Sequence, residues 1–459
     1  MINYETNSKL VKPGNIFIAI KGHTVDGHDY INDAIKNGAI KIIAEKQVEC
    51  SVPLELVSST EEYLKETLQK EYSSLFQKLK IIGVTGTNGK TTTCYLTYQL
   101  LKKLGVKVAY MGTIGFFYEN IEKELSNTTP DMLTTYKLLT EALENGCTTV
   151  VMEVSSHAIS LERIAGLKYA IGAFTNLTED HLDYHKTMEN YLKTKLDLLK
   201  YMEPTGIFLT NCDDPSGIKF QKDNVKVKTL GMNAQDYKIN DFMITPAETQ
   251  ISFTYQQKEY HLRTNLTGKF NVYNYITALA ICHEYGFDIP SIIEKTAFIF
   301  PPKGRCETYK VKEGFAVVDY AHTPDAVEKV IESYRELAKQ RIITLVGCGG
   351  DRDPIKRPIM GKIASNKSDY VIFTSDNPRT EDPKKIMDDI IKGVEKDNYE
   401  IMLDRKEAIK KALDLIKKDD IVLILGKGHE DYQIIGHEKI HLDDSEEIKK
   451  YVEEKKKEK

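Results

Sequence analysis

The chain has 459 residues, with 63 Lys and Arg against 68 Asp and Glu, a formal net charge of −5, and 41% hydrophobic and 29% charged residues. This composition is typical of a globular protein with apolar cores and excludes a long disordered chain. The slightly acidic balance also argues against a nonspecific nucleic-acid binder. At roughly 150 residues per domain, the length predicts about three domains.

The apolar runs and the cysteines favour an intracellular protein without membrane insertion. No run approaches the roughly 18 apolar residues that span a bilayer, and the first residues show no basic region followed by an apolar stretch. The seven cysteines are scattered without a CxxC pair, which favours free thiols in a reducing compartment. We therefore expect a cytoplasmic protein.

The first part of the chain predicts a small α/β domain. Its predicted elements, in chain order, are a strand over 15–20, a helix over 30–36, a strand over 40–44 and a charged helix over 61–78. The strands are short apolar runs rich in isoleucine, and the last segment is rich in helix-favouring charged residues. We expect that helix to close a domain over 1–78.

Strands and helices then alternate through the middle of the chain. The predicted strands cover 80–84, 106–110, 149–152 and 170–174, and a helix covers 91–104 with Gly105 just after its end. This alternation predicts a mostly parallel sheet covered on both faces, in a domain over 79–300.

The last part of the chain predicts a second doubly wound domain. The sequence FPPKG at 300–304 interrupts a helical stretch and marks the boundary. Beyond it, apolar runs at 316–318, 342–346, 370–373 and 421–425 predict further βα units. The fold class is therefore α/β, with a third domain over 301–459.

The strongest local pattern is GVTGTNGKTTT at 83–93, in which a strand enters a Gly-rich turn that leads through Lys and Thr into a helix. Backbone N–H groups and the helix N-terminus of such a turn bind phosphate, Lys90 contacts the β- and γ-phosphates, and the Thr91 hydroxyl binds Mg²⁺. Val84 stands where the longest template has glycine, so the match is to a shorter form. The alternative is an ordinary Gly-rich turn. The candidate nucleotide-binding residues are Gly86, Thr87, Asn88, Gly89, Lys90, Thr91 and Thr92.

Glu153 ends the run TTVVM, just after the strand predicted over 149–152. A nucleotide site needs an acidic residue at a neighbouring strand end to hold the metal or its waters. The alternative is a solvated glutamate beyond a strand end. Beside the phosphate loop, we favour the metal role.

The patterns above indicate only an ATP-using α/β enzyme, and seven further motifs make the assignment more specific. They are TTPD at 128–131, EVSSHAISLERI at 153–164, FTNLTEDHLDYH at 174–185, DYAHTPDA at 319–326, GCGGDRD at 347–353, DNPRTEDP at 376–383 and GKGHEDYQ at 426–433. With the phosphate loop they resemble the Mur ligase family over nearly the whole chain. The last two resemble its MurE group, which adds the third residue to the UDP-MurNAc peptide of peptidoglycan.

This resemblance implies an N-terminal UDP-binding domain, a central ATPase domain and a C-terminal Rossmann-like domain for the incoming amino acid. It implies an ATP- and Mg²⁺-dependent ligase that adds meso-diaminopimelate to the D-Glu γ-carboxylate of UDP-MurNAc-L-Ala-D-Glu through an acyl phosphate. The partners are then these two small molecules, with no nucleic acid and no membrane, and we expect a monomer.

The resemblance also assigns the ATP site. It implies metal ligands at Thr91, Glu153, His181 and Lys195. Lys195 matches a carbamylated lysine. It also implies catalytic roles for Lys90, Glu153, His181 and Lys195. The alternative for Lys195 is a solvated helix lysine. HLDYH does not match the zinc-binding motif of metalloproteases, because Leu182 stands where that motif needs Glu.

The resemblance assigns nucleotide contacts to Asn271, Arg305 and Asp319, for which a helix cap, a surface ion pair and a strand-end turn are the plain alternatives. It assigns the UDP-sugar peptide to Ser8, His23, Thr24, Val25, Thr128, Thr129, Ser155 and Arg163. It assigns the incoming amino acid to Arg352, Asp376, Asn377, Pro378, Arg379, Gly426 and Glu430.

The DNPR motif favours diaminopimelate over lysine as the amino acid. Diaminopimelate has a carboxylate on its far carbon that lysine lacks, and the guanidinium of Arg379 can grip a carboxylate with two bonds. Asp376 and Asn377 are then available for amino groups. The alternative is that Asn-Pro and Asp-Pro mark only a turn, although a binding loop can also be a turn.

Three other functions remain in competition. A folylpolyglutamate-type ligase would share the ATPase core, but we would not expect GHTVDGH or DNPR in it. A regulatory or transport ATPase would hydrolyse ATP without an acceptor. GCGGD suggests a dinucleotide-binding oxidoreductase, but it lacks the G-x-G-x-x-G form with an acidic residue at a suitable distance.

Overall fold

The computed structural model describes residues 2–22, 25–221 and 224–457. The chain divides into two compact units: the first comprises the described residues up to Thr229 together with Ala280–Phe287, and the second comprises Leu230–Leu279 together with those from Asp288 onward. None of the helices in these ranges combines the length and apolar character that crossing a bilayer requires.

The first unit starts with a small parallel sheet between two helices. Its elements are β1 (Tyr4–Glu5), β2 (Ile16–Ile18), α1 (Ile31–Lys36), β3 (Lys41–Ala44), β4 (Leu54–Leu56) and α2 (Thr60–Phe76), with the 3-10 turns Ser8–Leu10 and Gly27–Tyr30. The strands pair in parallel in the order β1-β2-β3-β4. Phe17 and Ile42 pack with residues of α1, while Ile18 and Ile43 pack on the other face with residues of α2. Alternate side chains point to opposite faces, so both faces are apolar as predicted for a parallel sheet.

A larger sheet fills the rest of the first unit. Its strands and helices are β5 (Lys80–Thr85), α3 (Lys90–Lys103), β6 (Val108–Gly112), β7 (Gly115–Tyr118), β8 (Ile121–Lys123), α4 (Met132–Glu144), β9 (Thr149–Glu153), α5 (Ser156–Ser160), β10 (Tyr169–Phe174), α6 (Leu182–His185), α7 (Met188–Leu196), β11 (Met202–Asn211) and β12 (Lys226–Gly231), with the 3-10 turns Asp197–Tyr201 and Gly217–Lys219. For these strands the order is β12-β11-β10-β5-β9-β6-β7-β8. From β11 to β6 the strands are parallel, and β7 and β8 extend the edge as an antiparallel hairpin.

The register of this sheet brings three strand ends to one edge. Val84 of β5 lies opposite Glu153, the last residue of β9. Thr85 of β5 lies opposite Phe174, the last residue of β10. Because parallel strands end at the same edge, whatever follows these three strands meets there.

The helix after the phosphate loop begins one residue earlier than predicted, at Lys90. It ends at Lys103, and Gly105 follows with φ +88°. That left-handed conformation costs glycine little and stops the helix, so the prediction of Gly105 as the residue after the helix is confirmed.

The second unit begins with an antiparallel meander that alternation alone did not predict. Its elements are β13 (Tyr237–Ile244), β14 (Thr249–Tyr255), β15 (Lys258–Thr264), α8 (Lys269–Tyr285), whose last residues belong to the first unit, α9 (Ile289–Lys295) and the 3-10 turn Thr296–Phe298. The three strands pair antiparallel in sequence. In β13, Tyr237 and Ile239 are buried while Lys238 and Asn240 are exposed, which is the alternation typical of a half-buried strand.

The remainder of the second unit is a doubly wound sheet. Its elements are β16 (Glu307–Val311), β17 (Gly314–Asp319), α10 (Pro324–Arg335), β18 (Ile342–Val346), α11 (Lys356–Lys367), β19 (Tyr370–Phe373), α12 (Pro383–Ile391), β20 (Tyr399–Ile401), α13 (Arg405–Asp414), β21 (Ile421–Leu425), β22 (Tyr432–Ile435), β23 (Glu438–His441) and α14 (Asp444–Lys457). The order is β16-β17-β21-β18-β19-β20, parallel except for β16. The four predicted apolar runs are β17, β18, β19 and β21. Their ends carry the DYAHTPDA, GCGGDRD, DNPRTEDP and GKGHEDYQ motifs to one edge.

Candidate nucleotide and amino-acid sites

The phosphate loop connects β5 to α3 with two glycines in unusual conformations. Gly86 has φ +147°, and a Cβ there would lie 1.9 Å from Thr175 Oγ1. Gly89 has φ +85° and precedes the first residue of α3. Both positions therefore need glycine, since a side chain would be strained and, at Gly86, would collide with the neighbouring strand end. The loop leaves its backbone close to the N-terminus of α3, where an anion is favoured.

A second segment, Thr175 to Thr178, follows β10 and holds the loop in place. Thr87 N donates to Asn176 O (2.8 Å), and Asn88 N donates to Asn176 Oδ1 (3.0 Å). Thr175 Oγ1 donates to Asn88 O (2.6 Å), and Thr178 N donates to Thr87 Oγ1 (3.0 Å). These four hydrogen bonds fix the loop on both sides before any ligand binds, which lowers the ordering cost of binding.

The amine of Lys90 folds back over the loop. Its Nζ donates to Gly86 O (2.9 Å) and to Thr87 O (2.8 Å). These two carbonyl groups hold the amine at the loop, where a phosphate-binding lysine would contact its ligand.

Glu153 lies at the centre of a buried hydrogen-bond network, not in solvent. It is 1% exposed. Its carboxylate accepts hydrogen bonds from Thr91 Oγ1 (2.9 Å), Tyr110 OH (2.5 Å) and the backbone N of Thr113 (2.8 Å). A buried carboxylate needs such donors, and they aim it at the first turn of α3. The alternative of a solvated glutamate is wrong.

Lys195 is also buried, at 1% exposure. Its Nζ donates to Gly86 O (2.8 Å) and lies 4.4 Å from the centre of the Tyr191 ring. Burial, together with the nearby charge of Lys90, lowers the pKa of Lys195 well below its usual value. Lys193 on the same helix is exposed, so the alternative of a solvated helix lysine applies to Lys193 and is wrong for Lys195.

His181 lies nearer to solvent, next to the same helix. Its side chain is 46% exposed, and its Nε2 lies 3.4 Å from Asp180 Oδ2. Its ring is 4.9 Å from the ring of His157 and 6.3 Å from that of Tyr191. In the described residues, no group of three or more His, Cys, Asp or Glu side chains is arranged to hold a metal ion. A metal here would need further oxygen ligands from a bound substrate.

The residues assigned to the sugar peptide in the central part cluster behind Glu153. Thr129 is buried, and its hydroxyl donates to Glu153 O (2.8 Å) and accepts from Ser155 N (3.1 Å). Arg163 Nη1 donates to Thr129 O (2.9 Å). Thr128 and Arg163 are half-buried, so both can reach a ligand. The structure therefore brings Thr128, Thr129, Ser155 and Arg163 together.

The assigned residues of the N-terminal part are less fully described. Ser8 is buried at the start of the first 3-10 turn, and its carbonyl accepts from Asn37 Nδ2 (2.8 Å). Val25 is 51% exposed. His23 and Thr24 lie outside the described residues.

Three assigned nucleotide residues lie in the second unit, and the first of them is Asn271. It is 3% exposed and lies inside α8, which begins at Lys269. Its Nδ2 donates to Thr267 O (2.7 Å), and its Oδ1 accepts from Asn274 Nδ2 (3.0 Å). Because the helix begins two residues earlier, Asn271 is not the residue that caps it.

Arg305 and Asp319 are neighbours in the second unit. The guanidinium carbon of Arg305 lies 4.7 Å from the centre of the Tyr320 ring, and its buried Nε has no hydrogen-bond partner among the described residues. Asp319 accepts from Cys306 N (2.8 Å) and Ala321 N (2.9 Å). Burial raises the pKa of Asp319, and the charge of Arg305 opposes that shift. Asp319 is thus a strand-end turn residue with its carboxylate held beside a cation.

The DNPR motif follows β19 and surrounds Arg379. The guanidinium Nη1 donates to Gly350 O (2.9 Å) and Asn377 O (3.4 Å). The backbone N of Arg379 donates to Ile434 O (3.0 Å), and Arg379 has φ +51°. In the described chain, Arg379 makes no ion pair with a carboxylate within 4 Å. Its remaining N–H groups can therefore serve an anionic ligand.

Asn377 of the same motif connects this loop to Glu430. Asn377 is 2% exposed, and its Nδ2 donates to Glu430 Oε2 (2.8 Å) while its Oδ1 accepts from Ile434 N (3.0 Å) and from Lys427 Nζ (3.2 Å). These partners fix which way the amide points. A Cβ at Gly426 would lie 2.8 Å from Asp376 Oδ2, so Gly426 lets the strand end approach Asp376. Pro378 is buried, and Arg352 is exposed on the neighbouring loop.

Six residues that hold the assigned ones were not predicted from the sequence. They are Tyr110, Thr113, Thr175, Asn176, Thr178 and Lys427. Asn176 and Thr178 stand inside a motif that was singled out, so that signal was available. Tyr110 and Thr113 stand in no motif, and only the sheet order places β6 beside β9.

Three sequence models of protein families match this chain. The Mur ligase family catalytic domain matches residues 3–74, the Mur ligase middle domain matches 84–282, and the Mur ligase glutamate ligase domain matches 304–428. Together they span most of the chain.

Curated proteins of similar sequence carry one name. UDP-N-acetylmuramoyl-L-alanyl-D-glutamate--2,6-diaminopimelate ligase 1 of Clostridium acetobutylicum is 41% identical, over 99% of this chain and 94% of its own length. The ligases of that name from Clostridium botulinum and Aquifex aeolicus are 40% and 41% identical, over 98% and 96% of this chain and 95% and 92% of their own lengths.

Solved structures resemble the fold over nearly its whole length. A UDP-N-acetylmuramoyl-L-alanyl-D-glutamate--2,6-diaminopimelate ligase superposes with a TM-score of 0.71 at 31% identity, over 99% of this chain and 95% of that one. The MurF ligase of Thermotoga maritima, solved in complex with ADP, superposes with a TM-score of 0.69 at 22% identity, over 100% and 98%. The second likeness shows the fold alone.

Proposed function

This chain belongs to the Mur ligase family, and from that premise we propose that it joins meso-diaminopimelate to the D-Glu γ-carboxylate of UDP-MurNAc-L-Ala-D-Glu, with conversion of ATP to ADP and phosphate. Relatives about 40% identical over nearly the full chain carry the name of that ligase. The observation that carries the choice of amino acid is Arg379, a half-buried cation without an acidic partner in the described chain, two residues after Asn377, whose amide binds Glu430.

The reaction needs a carboxylate to become an acyl donor. A carboxylate oxygen attacks the γ-phosphorus of ATP, the bond from that phosphorus to the bridging oxygen breaks, and ADP leaves. The amine nitrogen then attacks the acyl carbon, the carbon–oxygen bond to phosphate breaks, and phosphate leaves as the nitrogen loses a proton. Both steps gather negative charge around the transferred phosphoryl group, so the site must supply fixed positive charge.

The phosphate loop supplies that charge. The Lys90 amine, the N-terminus of α3 and the backbone of 86–91 converge where the triphosphate would lie. The bonds from the Thr175 to Thr178 segment hold these groups in place before the reaction, so little reorganisation is needed as charge develops.

Thr91 and Glu153 fit a Mg²⁺ site. Both offer oxygen atoms, lie 2.9 Å apart at the first turn of α3, and face the phosphate loop. Mg²⁺ is usually held by one or two carboxylates together with substrate phosphates, so a protein cluster of three acidic or histidine ligands is not required. When bound, the ion neutralises phosphate charge. His181 is the further candidate ligand.

Lys195 is proposed to carry a carbamate. Its amine is buried, and its lowered pKa favours the neutral form, which is the form that can attack carbon dioxide. A nitrogen–carbon bond then forms and one proton is released. The product is an anion beside Lys90 and the phosphate loop, where it can orient metal ligands.

The second unit is proposed to bind the amino acid. The far end of diaminopimelate carries both a carboxylate and an ammonium, so it needs a cation and an anion side by side. Arg379 offers the cation, and Glu430 and Asp376 offer carboxylates. Lysine has only the ammonium, so it would leave Arg379 without its partner. Arg352, Asn377, Pro378 and Gly426 complete the proposed pocket.

The UDP-sugar peptide is proposed to lie along the first unit. Arg163, Thr128, Thr129 and Ser155 offer a cation and hydroxyls suited to carboxylates and phosphates, and Ser8 and Val25 lie in the N-terminal part. We propose that the protein works in the cytoplasm, because all seven cysteines are free thiols, as is usual in a reducing compartment.

The test is a reconstituted reaction. Purified protein is incubated with ATP, Mg²⁺ and UDP-MurNAc-L-Ala-D-Glu, with meso-diaminopimelate or L-lysine added separately, and both phosphate release and product mass are measured. We expect a tripeptide product with meso-diaminopimelate only. If phosphate is released at the same rate with and without either amino acid, the protein is an ATPase without ligase activity. If product forms only with L-lysine, the proposed role of Arg379 is refuted.

A further inference from the structure

Arg357 is a buried arginine that no part of the proposed reaction uses. It stands in the first turn of α11 and is 2% exposed. Its Nη2 and Nη1 donate to the two oxygens of Glu381 (2.9 and 3.0 Å), and Nη1 also donates to Asp389 Oδ2 (3.1 Å). Its Nη2 further donates to Gly349 O (3.3 Å). A guanidinium that grips a carboxylate with two bonds fixes direction as well as distance.

These bonds join two loops that follow different strands. Glu381 stands just after the DNPR motif, and Gly349 belongs to the GCGGDRD motif after β18. Glu381 also accepts from the backbone N of Asp351 (2.5 Å), and the Asp351 carboxylate accepts from Thr380 Oγ1 (2.8 Å). The loops over 349–351 and 376–381 are therefore held together along their length, with Arg357 beneath them.

The guanidinium of Arg379 depends on this arrangement. Its Nη1 donates to Gly350 O, on one loop, and to Asn377 O, on the other. A Cβ at Gly350 would lie 1.9 Å from Pro378 O, so the two loops touch through their backbones at this point. If one loop moved relative to the other, the carbonyl groups that aim Arg379 would separate.

We propose that Arg357 is a positioning residue for amino-acid selection: it locks the 349–351 and 376–381 loops so that Arg379 points at the second carboxylate of the incoming diamino acid. The inference rests on the proposed function and concerns its selectivity for the incoming diamino acid. The bond to Arg357 also lowers the pKa of Glu381, so Glu381 stays ionised and keeps its grip near neutral pH.

Arg341 offers a matched control in the same sheet. It also grips one carboxylate through a fork, with Nη2 and Nε at 2.6 and 3.2 Å from Asp420 Oδ2, and donates to one backbone carbonyl, Leu415 O (2.8 Å). It stands just before β18, at the opposite end of the strand from the 349–351 loop. Loss of this fork removes similar bonds without touching either loop.

The experiment compares Arg357→Lys with Arg341→Lys in the full chain. kcat and KM are measured for meso-diaminopimelate and L-lysine, with KM for ATP as a second readout. We expect Arg357→Lys to raise KM for meso-diaminopimelate about 10- to 100-fold, since a displacement near 1 Å costs that much at a binding site, with kcat and KM for ATP within about threefold. The preference for meso-diaminopimelate over lysine should fall, and Arg341→Lys should retain it.

Glu381→Gln provides a second route to the same lock. Glu381→Gln should also raise KM for meso-diaminopimelate. In the double variant the two effects should not add, because both changes remove the same interaction between Arg357 and Glu381. Lower kcat with unchanged KM and unchanged preference in both variants would mean a structural role only and would overturn the inference. A wild-type enzyme that makes no product with either amino acid would instead refute the proposed function.

Discussion

The amine of Lys195 donates a 2.8 Å hydrogen bond to the carbonyl oxygen of Gly86, the first glycine of the phosphate loop. Gly86 also accepts from Lys90 Nζ (2.9 Å). Two lysines thus meet at one carbonyl, and one of them is fully buried. Two like charges so close are unfavourable, and burial adds to that cost, so the geometry favours the neutral form of Lys195.

Replacement of Lys195 by Ala should nearly abolish ligation. The proposed carbamate would be lost, and a small added carboxylate, such as acetate or formate, should restore part of the activity by occupying the cavity. The measurement is product formation with and without the additive. Lys193 lies on the same helix but is exposed. Lys193→Ala should therefore stay active, and the added carboxylate should not change its activity. Full activity of Lys195→Ala without additive would refute the carbamate.

Replacement of Gly86 by Ala should prevent nucleotide binding. The new Cβ would lie 1.9 Å from Thr175 Oγ1, so the loop and the 175–178 segment must separate. ATP binding measured by calorimetry should become undetectable. Gly105→Ala is the matched control, because Gly105 also has positive φ but faces open space. It should cost about 1 kcal/mol of stability and leave binding intact; equal effects of both changes would contradict the steric argument.

Replacement of Arg379 by Lys should lose most of the selectivity for meso-diaminopimelate while ATP binding is kept. Lysine cannot form two parallel bonds to a carboxylate, so KM for meso-diaminopimelate should rise and the preference over L-lysine should shrink. Both are read from product formation by mass. Arg335→Lys, at an ion pair with Asp369 in the same unit, should change neither value, and unchanged selectivity of Arg379→Lys would count against the pocket.

Replacement of Glu153 by Gln should lower kcat about 100-fold and raise the Mg²⁺ concentration needed for half-maximal activity. Gln removes the charge that favours the ion, and its amide would face the donors Tyr110 and Thr113. A Mg²⁺ titration of activity measures both effects. Glu141→Gln, which removes the charge of another carboxylate that accepts from a tyrosine hydroxyl, Tyr118 OH (3.0 Å), should leave the titration unchanged. A Glu153→Gln enzyme with the normal Mg²⁺ requirement would exclude Glu153 from the metal site.

Acid should destabilise the protein partly through His429. Burial, and then the charges of Arg305 and Lys303, lower the pKa of His429 to about 4, from 6.5 in the unfolded chain. Between about pH 6.5 and 4 the unfolded state binds more protons, so stability falls as pH falls through that window. In His429→Gln the drop in Tm between pH 7 and pH 5 should shrink by about 2 °C.

His441 provides a control of opposite sign. It is exposed and bonded to Glu446 (2.9 Å), and that bond raises its pKa. Its contribution is therefore present at low pH and is lost as pH rises through its folded pKa, so His441→Gln should slightly enlarge the drop in Tm. A His429→Gln variant with the wild-type pH dependence would show that His429 does not titrate as described.

Much of the fold could be read from local patterns. The four apolar runs of the last part are strands β17, β18, β19 and β21, three of them with the predicted bounds. Buried parallel strands are continuous apolar runs, so they can be predicted without knowing which strands lie side by side. The meander of β13, β14 and β15 was not predicted, because the polar residues on its outward face dilute the apolar signal.

The sequence by itself determined the chemistry that is available: a glycine loop with Lys90 and Thr91, an acid at the end of a strand, and an arginine in a turn. Residue type and spacing decide those, because they act over a few neighbours in the chain. Only the tertiary structure decided that Lys195 is buried against Gly86 and that Arg357 joins the loops around Arg379. Burial and long-range bonds depend on which strands lie side by side, and no local pattern contains that order.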